Sequence, residues 1–485
     1  MFLTPSLLTT ILVLAQPTPK LDVEITFAKS VQAEAFSGRV FVIATKTPIK
    51  ENDPPPRLGW FNPYPFFGQD VAKWMPETPL KFEPKFALKP WDVAAKEKCY
   101  LQAVLDRDQG GMSALSAAGN AYSKPLMYDP AKAPDGPIKL VIEKLLSEPK
   151  VAEKGRVKIV EIESKLLTKF HGKPIKLRAG VVVPKSFAED DTKKYPVIYE
   201  IPGFGGNHTS ALFSEGRTDV AGVEMLYVVL DPGCRLGHHV FADSENNGPY
   251  GQALIEELIP HIEATYRAVA EPKGRFLTGH SSGGWSSLWL QVTYPDFFGG
   301  TWSTAPDPVD FRDFQRVDIY DPKQKLFEDA EGKPRPLARK GKQVLLYYKP
   351  FNDMEVVLGR GGQLFSFEAV FSPKGKDGKP MPLWNRETGV IDQEVAKAWQ
   401  RYDIRMILER DWKTLGPKLK GKLHVYMGDE DTFYLDGATR LLQASQKMLG
   451  SDAVIEIFAG KDHGNLLDAA MRKRIASEMA SAWAR

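Results

Sequence analysis

The rhythm of hydrophobic and polar positions changes near residue 157. Before it, Val23–Phe27, Arg39–Ala44 and Tyr100–Leu105 alternate or run apolar, which predicts strands. Long loops dense in Pro and Gly, such as NDPPPRLGWFNPYPFFG, separate them. Few and well-spaced strands predict a β-rich, sandwich-like domain over residues 20–150. There is no internal repeat, and propeller blades of about 40–45 residues each do not fit this space. From Val157 onward, short apolar runs alternate with helical stretches. Val157–Ile162 and Ile175–Val183 predict an antiparallel pair, followed by strands at Pro196–Ile201, Met225–Leu230 and Arg275–Thr278, then at His424–Met427 and Val454–Phe458. Ile255, Leu258, Ile259 and Ile262 form one apolar stripe at helical spacing, and Leu466–Ala484 predicts a terminal helix. Strands alternating with helices predict a mostly parallel sheet covered on both faces, spanning 156–485. The stretch from Pro306 to Thr414 breaks this pattern, with a hairpin-like SPKGKDGKPMP and one predicted helix at Gln393–Met406. It reads as a long insertion at a sheet edge, of the kind that covers active sites.

The chain has 485 residues, enough for two to three units at roughly 150 residues per domain. Hydrophobic residues make up 43% and charged residues 26%, a balance that predicts a folded, soluble chain and excludes disorder and coiled coil. Lys and Arg total 64 against 61 acids, a net +3, too nearly balanced for a protein devoted to nucleic acid or an anionic membrane. Two cysteines, Cys99 and Cys234, rule out a disulfide scaffold or zinc framework, and both are expected as free, buried thiols. The first 15 residues, MFLTPSLLTTILVLA, carry no charge and end on Val13 and Ala15. They predict a secretory signal cut after Ala15, hence a secreted or periplasmic protein, with a buried N-terminal strand as the alternative. No stretch reaches the ~20 apolar residues needed to span a bilayer.

The segment RFLTGHSSGGW holds Gly279-His280-Ser281-Ser282-Gly283, a G-x-S-x-G between the strand at Arg275–Thr278 and a helix at Ser282–Val292. A sharp strand-to-helix turn lifts such a serine above the sheet, and crowding at the turn demands flanking glycines. The next residue opens the helix, so its N–H faces a developing oxyanion. Ser281 is therefore the candidate nucleophile and Ser282 an oxyanion donor. A base and an orienting acid are expected downstream, in the order Ser, acid, His. His463, in GKDHGNL after the last strand, is the candidate base, whereas His424 sits inside an apolar strand and reads as a sheet histidine. In HVYMGDEDTFYLDG, Asp431 is the candidate acid and Asp429 the runner-up. The second oxyanion N–H is expected from Phe204 or Gly205 in YPVIYEIPGFGGNHTS.

With these pieces in hand, residues Lys194 to Thr304 and Leu423 to the end resemble the putative-esterase family of α/β-hydrolases. That group includes enterochelin esterases, esterase D, feruloyl esterases and the mycolyltransferases. The matching stretches are YPVIYEIPGFGG, ELIPHIEATYR, RFLTGHSSGGWSSLWLQVTYPDFFGG and GKDHG. The resemblance implies the α/β-hydrolase fold and a Ser-His-acid mechanism needing no metal or other cofactor. Two departures stand out. Pro202 occupies a position where the family more often has His, and the Pro306–Thr414 insertion is larger than usual.

DPGCRLGHHVFADSENNGPYGQ follows the second parallel strand and is expected to line the cleft, with His239, Asn246 or Asn247 touching substrate or bracing the loop. Adjacent His238 and His239 cannot easily face one metal ion. Trp285, Trp384 and Phe365 are candidates for an acyl or aryl pocket, with core packing as the alternative. Asp106–Gly110 resembles the start of a calcium loop, but its twelfth position is Ala117 rather than an acid. VLGRGGQL lacks the ending of a phosphate loop and reads as a turn. The expected protein is a secreted serine esterase acting on a small-molecule or polysaccharide-linked ester. An acyltransferase using the same residues and a surface-binding protein with a vestigial hydrolase domain are the rivals.

Overall fold

In the sheet of the smaller of two units, Val23–Phe27 and Ile138–Leu145 alternate buried and more exposed side chains, whereas the second half of Phe36–Thr45 is buried throughout. The computed structural model describes residues 21–91, 96–149 and 151–485, so the expected signal Met1–Ala15 lies outside the described residues. The smaller unit takes the chain up to Leu58 with Tyr64–Asp106 and Ala121–Leu145; the larger takes Gly59–Pro63, Arg107–Asn120 and Leu146–Arg485.

The smaller unit is one connected sheet of β1 (Val23–Phe27), β2 (Phe36–Thr45), β3 (Phe66–Trp74), β4 (Leu80–Lys81), β5 (Phe86–Ala87), β6 (Cys99–Leu105), β7 (Ala121–Ser123), β8 (Leu126–Tyr128) and β9 (Ile138–Leu145). Its order is β4-β1-β9-β7-β6-β2-β3-β5, with β8 added to β6. Strands β1 and β3 are separated by four others, yet Phe27 and Trp74 meet edge to face with centroids 4.6 Å apart. The sheet therefore curls over a single core of Val23, Ile25, Val40, Val42, Leu101 and Leu140. Only β1, β2 and β6 are visible as apolar runs. Strand β9, IKLVIEKL, interleaves Lys and Glu with buried Ile, Leu and Ile, the signature of a half-buried strand rather than a loop.

The larger unit centres on an eight-stranded sheet: β10 (Val157–Glu163), β11 (Lys176–Val182), β12 (Val197–Ile201), β13 (Leu226–Leu230), β14 (Arg275–His280), β15 (Gly300–Thr304), β16 (Leu423–Gly428) and β17 (Val454–Phe458). The order is β10-β11-β13-β12-β14-β15-β16-β17. Strand β11 pairs antiparallel on both sides, and every pairing from β13 to β17 is parallel. The chain runs from β12 to β13 on one side and then crosses to β14 on the other. That reversal opens a crevice at the carboxyl ends of β12 and β14, where ligands bind in such sheets. Strand β15, GTWST, is wholly buried although its Ser and Thr make it read as polar. Two of the three hydroxyls are satisfied locally, Ser303 Oγ donating to the Gly284 carbonyl (2.8 Å) and Thr304 Oγ1 to that of Gly279 (2.9 Å), while Thr301 Oγ1 is buried without a hydrogen bond.

Two helical expectations shift. A π turn at Leu254–Leu258 advances the helix face by one residue, so Leu254 is buried with Leu258, Ile259 and Ile262 while Ile255 is only half-buried. The single helix expected at Gln393–Met406 is two, Gln393–Trp399 and Ile404–Leu419. The break falls at Asp403, whose carboxylate caps the second helix by accepting the Met406 N–H at 2.9 Å. Between β15 and β16 the chain also forms a hairpin, Pro336–Lys340 with Gln343–Tyr347, and two helices, Tyr348–Leu358 and Gln363–Phe371. Among the described residues no helix is long and apolar enough to cross a membrane.

Candidate active site

Strand β14 ends in a turn that no relaxed backbone makes. Ser281 sits at φ 61° and ψ −127°, a strained conformation for a residue with a side chain, and the helix Ser282–Thr293 starts immediately after it. The turn is pressed against β12: a Cβ on Gly283 would lie 1.8 Å from the Ile201 carbonyl oxygen, so only glycine fits. The Ser281 N–H donates to the Thr304 carbonyl of β15 (3.0 Å), and the Ser281 carbonyl accepts from Trp285 N–H (3.0 Å). As the first helical residue, Ser282 has no carbonyl four positions back for its own N–H.

The carboxyl ends of β16 and β17 converge in the same way. A Cβ on Gly428 would lie 2.0 Å from the Lys461 carbonyl, so the two following loops touch. That approach sets His463 Nδ1 2.7 Å from Asp431 Oδ2. Asp431 is fully buried, and its Oδ1 accepts the N–H groups of Phe433 (2.8 Å) and Leu435 (3.3 Å). Arg339, from the insertion hairpin, donates to the Asp431 carbonyl at 3.0 Å. Asp429 is used elsewhere, accepting the Gly460 N–H at 2.8 Å. Burial acts to lower the His463 pKa, but the charge and hydrogen bond of Asp431, with Asp307 and Asp462 adding to them, outweigh it and hold the imidazole above its ordinary 6.5.

Ser281 and His463 open into one cavity of about 280 Å³, which Gly203, Phe204 and His280 also line. The oxyanion-loop candidates stand beside the serine: a Cβ on Gly203 would be 3.9 Å from Ser281 Oγ, and Gly206 N–H closes a turn on the Gly203 carbonyl (3.0 Å). His238 anchors this loop. Its Nδ1 accepts the Val240 N–H (3.1 Å), which leaves the proton on Nε2 to donate to the Pro202 carbonyl (2.9 Å). Burial pushes the His238 pKa down to about 4, so the ring stays neutral in that tautomer.

Three expected substrate contacts lie elsewhere. His239 is fully buried and stacks on Tyr250 with centroids 3.7 Å apart; Trp285 is buried and stacks on Trp289 at 5.3 Å. Asn247 is 3% exposed, its N–H donating to Ser244 Oγ and its carbonyl held by His171 Nε2 (3.0 Å). None of the three lines the cavity. They brace the loop after β13 and the core beneath the elbow, because a helix one turn past the nucleophile points inward to the sheet. Asn246 likewise donates to the Ser372 carbonyl (2.9 Å), and Trp384 is buried with Nε1 donating to Asn352. His424 stacks on Trp302 within the sheet, Asp108 pairs with Arg235 (2.6 Å), and both cysteines are buried and outside any disulfide.

The cavity walls hold residues that sequence reasoning missed. Trp60 lies with its ring 5.4 Å from that of Phe204, 5.5 Å from Phe351 and 6.3 Å from Phe433. Phe433 in turn meets the His463 ring edge-on at 5.0 Å. Asp307, Gln315 and Gln363 supply the polar part of the lining. VLGRGGQL is a helix-to-helix turn, with Gly359 left-handed at φ 78°, and it delivers Gln363 to this site.

A mixed sheet with a strained serine elbow at its switch point defines an α/β-hydrolase. The chain matches the putative esterase family over residues 174–459, more than half its length, and it belongs to that family. It is 28% identical over 141 residues to Esterase Rv1288 of Mycobacterium tuberculosis, an alignment covering 28% of this chain and 31% of that protein. The chain thus spans under a third of the curated relative. Among solved structures it is similar to a ferulic acid esterase (16% identity, TM-score 0.43, 67% of this chain and 99% of that one). It is also similar to an S-formylglutathione hydrolase from Agrobacterium tumefaciens (15% identity, TM-score 0.41, 68% and 95%).

Proposed function

We propose that the protein is a serine esterase that cleaves carboxylic esters through Ser281, His463 and Asp431. The observation that carries this reading is the 2.7 Å His463–Asp431 pair opening into the same cavity as a serine held at φ 61°. Asp431 fixes the proton of His463 on Nδ1, leaving Nε2 as the base that takes the Ser281 proton. Ser281 Oγ then attacks the ester carbonyl, and the oxyanion is held by the N–H of Ser282 and that of Phe204 or Gly205. His463 returns the proton to the departing alcohol, and water resolves the acyl-enzyme with His463 again as base.

The substrate in this reading is a small-molecule or polysaccharide-linked ester whose acyl or aryl part meets the walls formed by Trp60, Phe204 and Phe433. The insertion is a partial lid, a role supported by Gln363 and Leu364 lining the cavity. The smaller unit is sandwich-like, a description supported by the Phe27–Trp74 contact across its curled sheet. Export, carried by the uncharged Met1–Ala15, belongs to the same proposal.

The test is labelling of the purified protein with a fluorophosphonate, peptide mass spectrometry of the adduct, and a parallel Ser281→Ala variant. An adduct on Ser281 that disappears in the variant, together with loss of ester hydrolysis, is expected. Hydrolysis undiminished in Ser281→Ala would overturn the reading.

A further inference from the structure

The residue after the nucleophile is held by more than its helix. Ser282 Oγ lies 2.5 Å from Asp307 Oδ2 and 3.1 Å from Gln363 Nε2. A hydroxyl has one proton: it goes to the carboxylate, and the oxygen accepts from the amide. The Ser282 carbonyl accepts in turn from Ser286 Oγ at 2.6 Å, so the side chain and carbonyl of Ser282 are both fixed while its N–H faces outward. Asp307 follows strand β15 and is 5% exposed, and its own N–H donates to the Ser281 carbonyl at 3.3 Å. It thus grips both residues of the elbow from a neighbouring strand end, and Gln363 adds a grip from the insertion.

We propose that Asp307 is a positioning residue that, through Ser282 Oγ and with Gln363, aims the Ser282 N–H at the oxyanion and sets the charge environment of His463. The proposal deepens the serine esterase reading and rests on it. Asp307 and His463 line the same cavity, so the carboxylate acts on the imidazole across it. Burial pushes the Asp307 carboxyl up to about 6, against the hydrogen bond from Ser282 and the pull of His463. Its charge is therefore present toward the upper part of the range in which His463 titrates and fades toward the lower part. The other groups facing His463 are Asp431 at Nδ1, Asp462 on its own loop and the His280 ring at 4.6 Å. Burial lowers the His280 pKa to about 4, so that ring is neutral when His463 gains its proton. Arg339 is engaged with the Asp431 carbonyl and with Asp436.

The experiment compares kcat, KM and pH–rate profiles of wild type, Asp307→Ala, Asp307→Asn, Ser282→Ala and Ser282→Ala/Asp307→Ala, with Ser281→Ala alongside. Asp307→Ala is expected to lower kcat about ten- to a hundredfold with KM changed less than about twofold. Asp307→Asn, which keeps an acceptor for the Ser282 hydroxyl, is expected to recover most of kcat. Its acid limb should move to lower pH, because His463 loses a neighbouring negative charge. Ser282→Ala should lower kcat and move the limb in the same direction as Asp307→Asn but by less, since losing the hydroxyl raises the Asp307 carboxyl without removing it, and the double variant should be no slower than the slower single one. Wild-type kcat in Asp307→Ala, multiplying losses in the double variant, or an unmoved limb in Asp307→Asn would overturn the inference. If Asp307→Ala fails to fold, the limb of Asp307→Asn decides. An inactive Ser281→Ala beside a wild-type-like Asp307 series overturns this inference alone, and an active Ser281→Ala overturns the esterase reading with it.

Discussion

His238 Nε2 donates to the Pro202 carbonyl at 2.9 Å, and that bond fixes the loop on which Phe204 and Gly205 stand. The histidine reaches this loop from the segment after β13. His238→Phe keeps the volume but leaves the Pro202 carbonyl without its donor. The expected result is a kcat lower by about ten- to a hundredfold, because small displacements of an oxyanion donor are costly. A stability loss of about 1–3 kcal/mol should accompany it, the cost of an unsatisfied buried acceptor. Steady-state kinetics and a urea titration measure both, and unchanged kcat in a folded variant would remove His238 from the oxyanion loop.

The rate should fall on acidification with a midpoint above pH 6.5. The sequence alone places the base at about pH 6–7. Asp431, Asp307 and Asp462 hold the protonated imidazole of His463 against burial, so the limb moves to the upper side of that range. Only neutral His463 accepts the Ser281 proton, so kcat/KM is lost as pH drops through its pKa. Stability follows the opposite sign: a raised His pKa stabilises the fold below the unfolded value and loses that contribution as pH rises through the folded one. Asp431→Asn should depress kcat about 10⁴-fold at neutral pH by releasing the Nδ1 tautomer. A pH–rate profile flat down to pH 4 would dismiss His463 as base.

The elbow was legible because G-x-S-x-G between a strand and a helix constrains backbone and side chain together, and His463 was the one histidine in a loop downstream. Asp431 could be separated from Asp429 only weakly, since both follow β16; the choice is made by loop contact, through Gly428 against Lys461. Strand β13 reads directly as a continuous apolar run, and β12 and β17 as apolar runs interrupted by one Glu each. Strand β15 did not, because the partners of its buried Ser303 and Thr304 hydroxyls are not displayed by a sequence. Trp60, Asp307, Gln363 and Arg339 were invisible as site residues for a related reason. Each comes from a distant stretch of chain with no local pattern of its own, and only the folded insertion and loops bring them to the cavity. His239, Asn247 and Trp285 erred the other way: closeness in sequence to the elbow or the strand end placed them in the core.

Glu355 predicts a pH response unrelated to catalysis. It is 1% exposed and accepts the N–H groups of Leu364 (3.0 Å) and Phe365 (2.8 Å) at the start of the next helix. Burial pushes its carboxyl up to about 8, against those hydrogen bonds. The folded state thus keeps a proton that the unfolded chain releases above 4.5, and stability falls as pH rises from about 4.5 to 8. Glu355→Gln, which cannot ionise and keeps an acceptor for one of the two N–H groups, lacks this slope. Relative to it, wild type should lose roughly 1 kcal/mol per pH unit between pH 5 and 8 and nothing further above 8. Parallel slopes for the two proteins in denaturant titrations would mean an ionised Glu355.

Trp60 predicts which part of the substrate the cavity measures. Its ring meets Phe204, on the candidate oxyanion loop, and Phe433, against His463. A side chain between those two groups borders the acyl carbon rather than a remote pocket. Trp60→Ala removes an apolar wall worth roughly 1–3 kcal/mol to a bulky acyl or aryl group, the range for one large hydrophobic contact in a binding site. For esters with such groups, kcat/KM should fall about ten- to a hundredfold. Acetyl esters, which place only a methyl group against that wall, should change less than about threefold. The ratio between the two substrate sizes is therefore the readout, since general damage to the fold lowers both together. An equal loss for acetyl and bulky esters would mean that Trp60 supports the site rather than selecting what enters it.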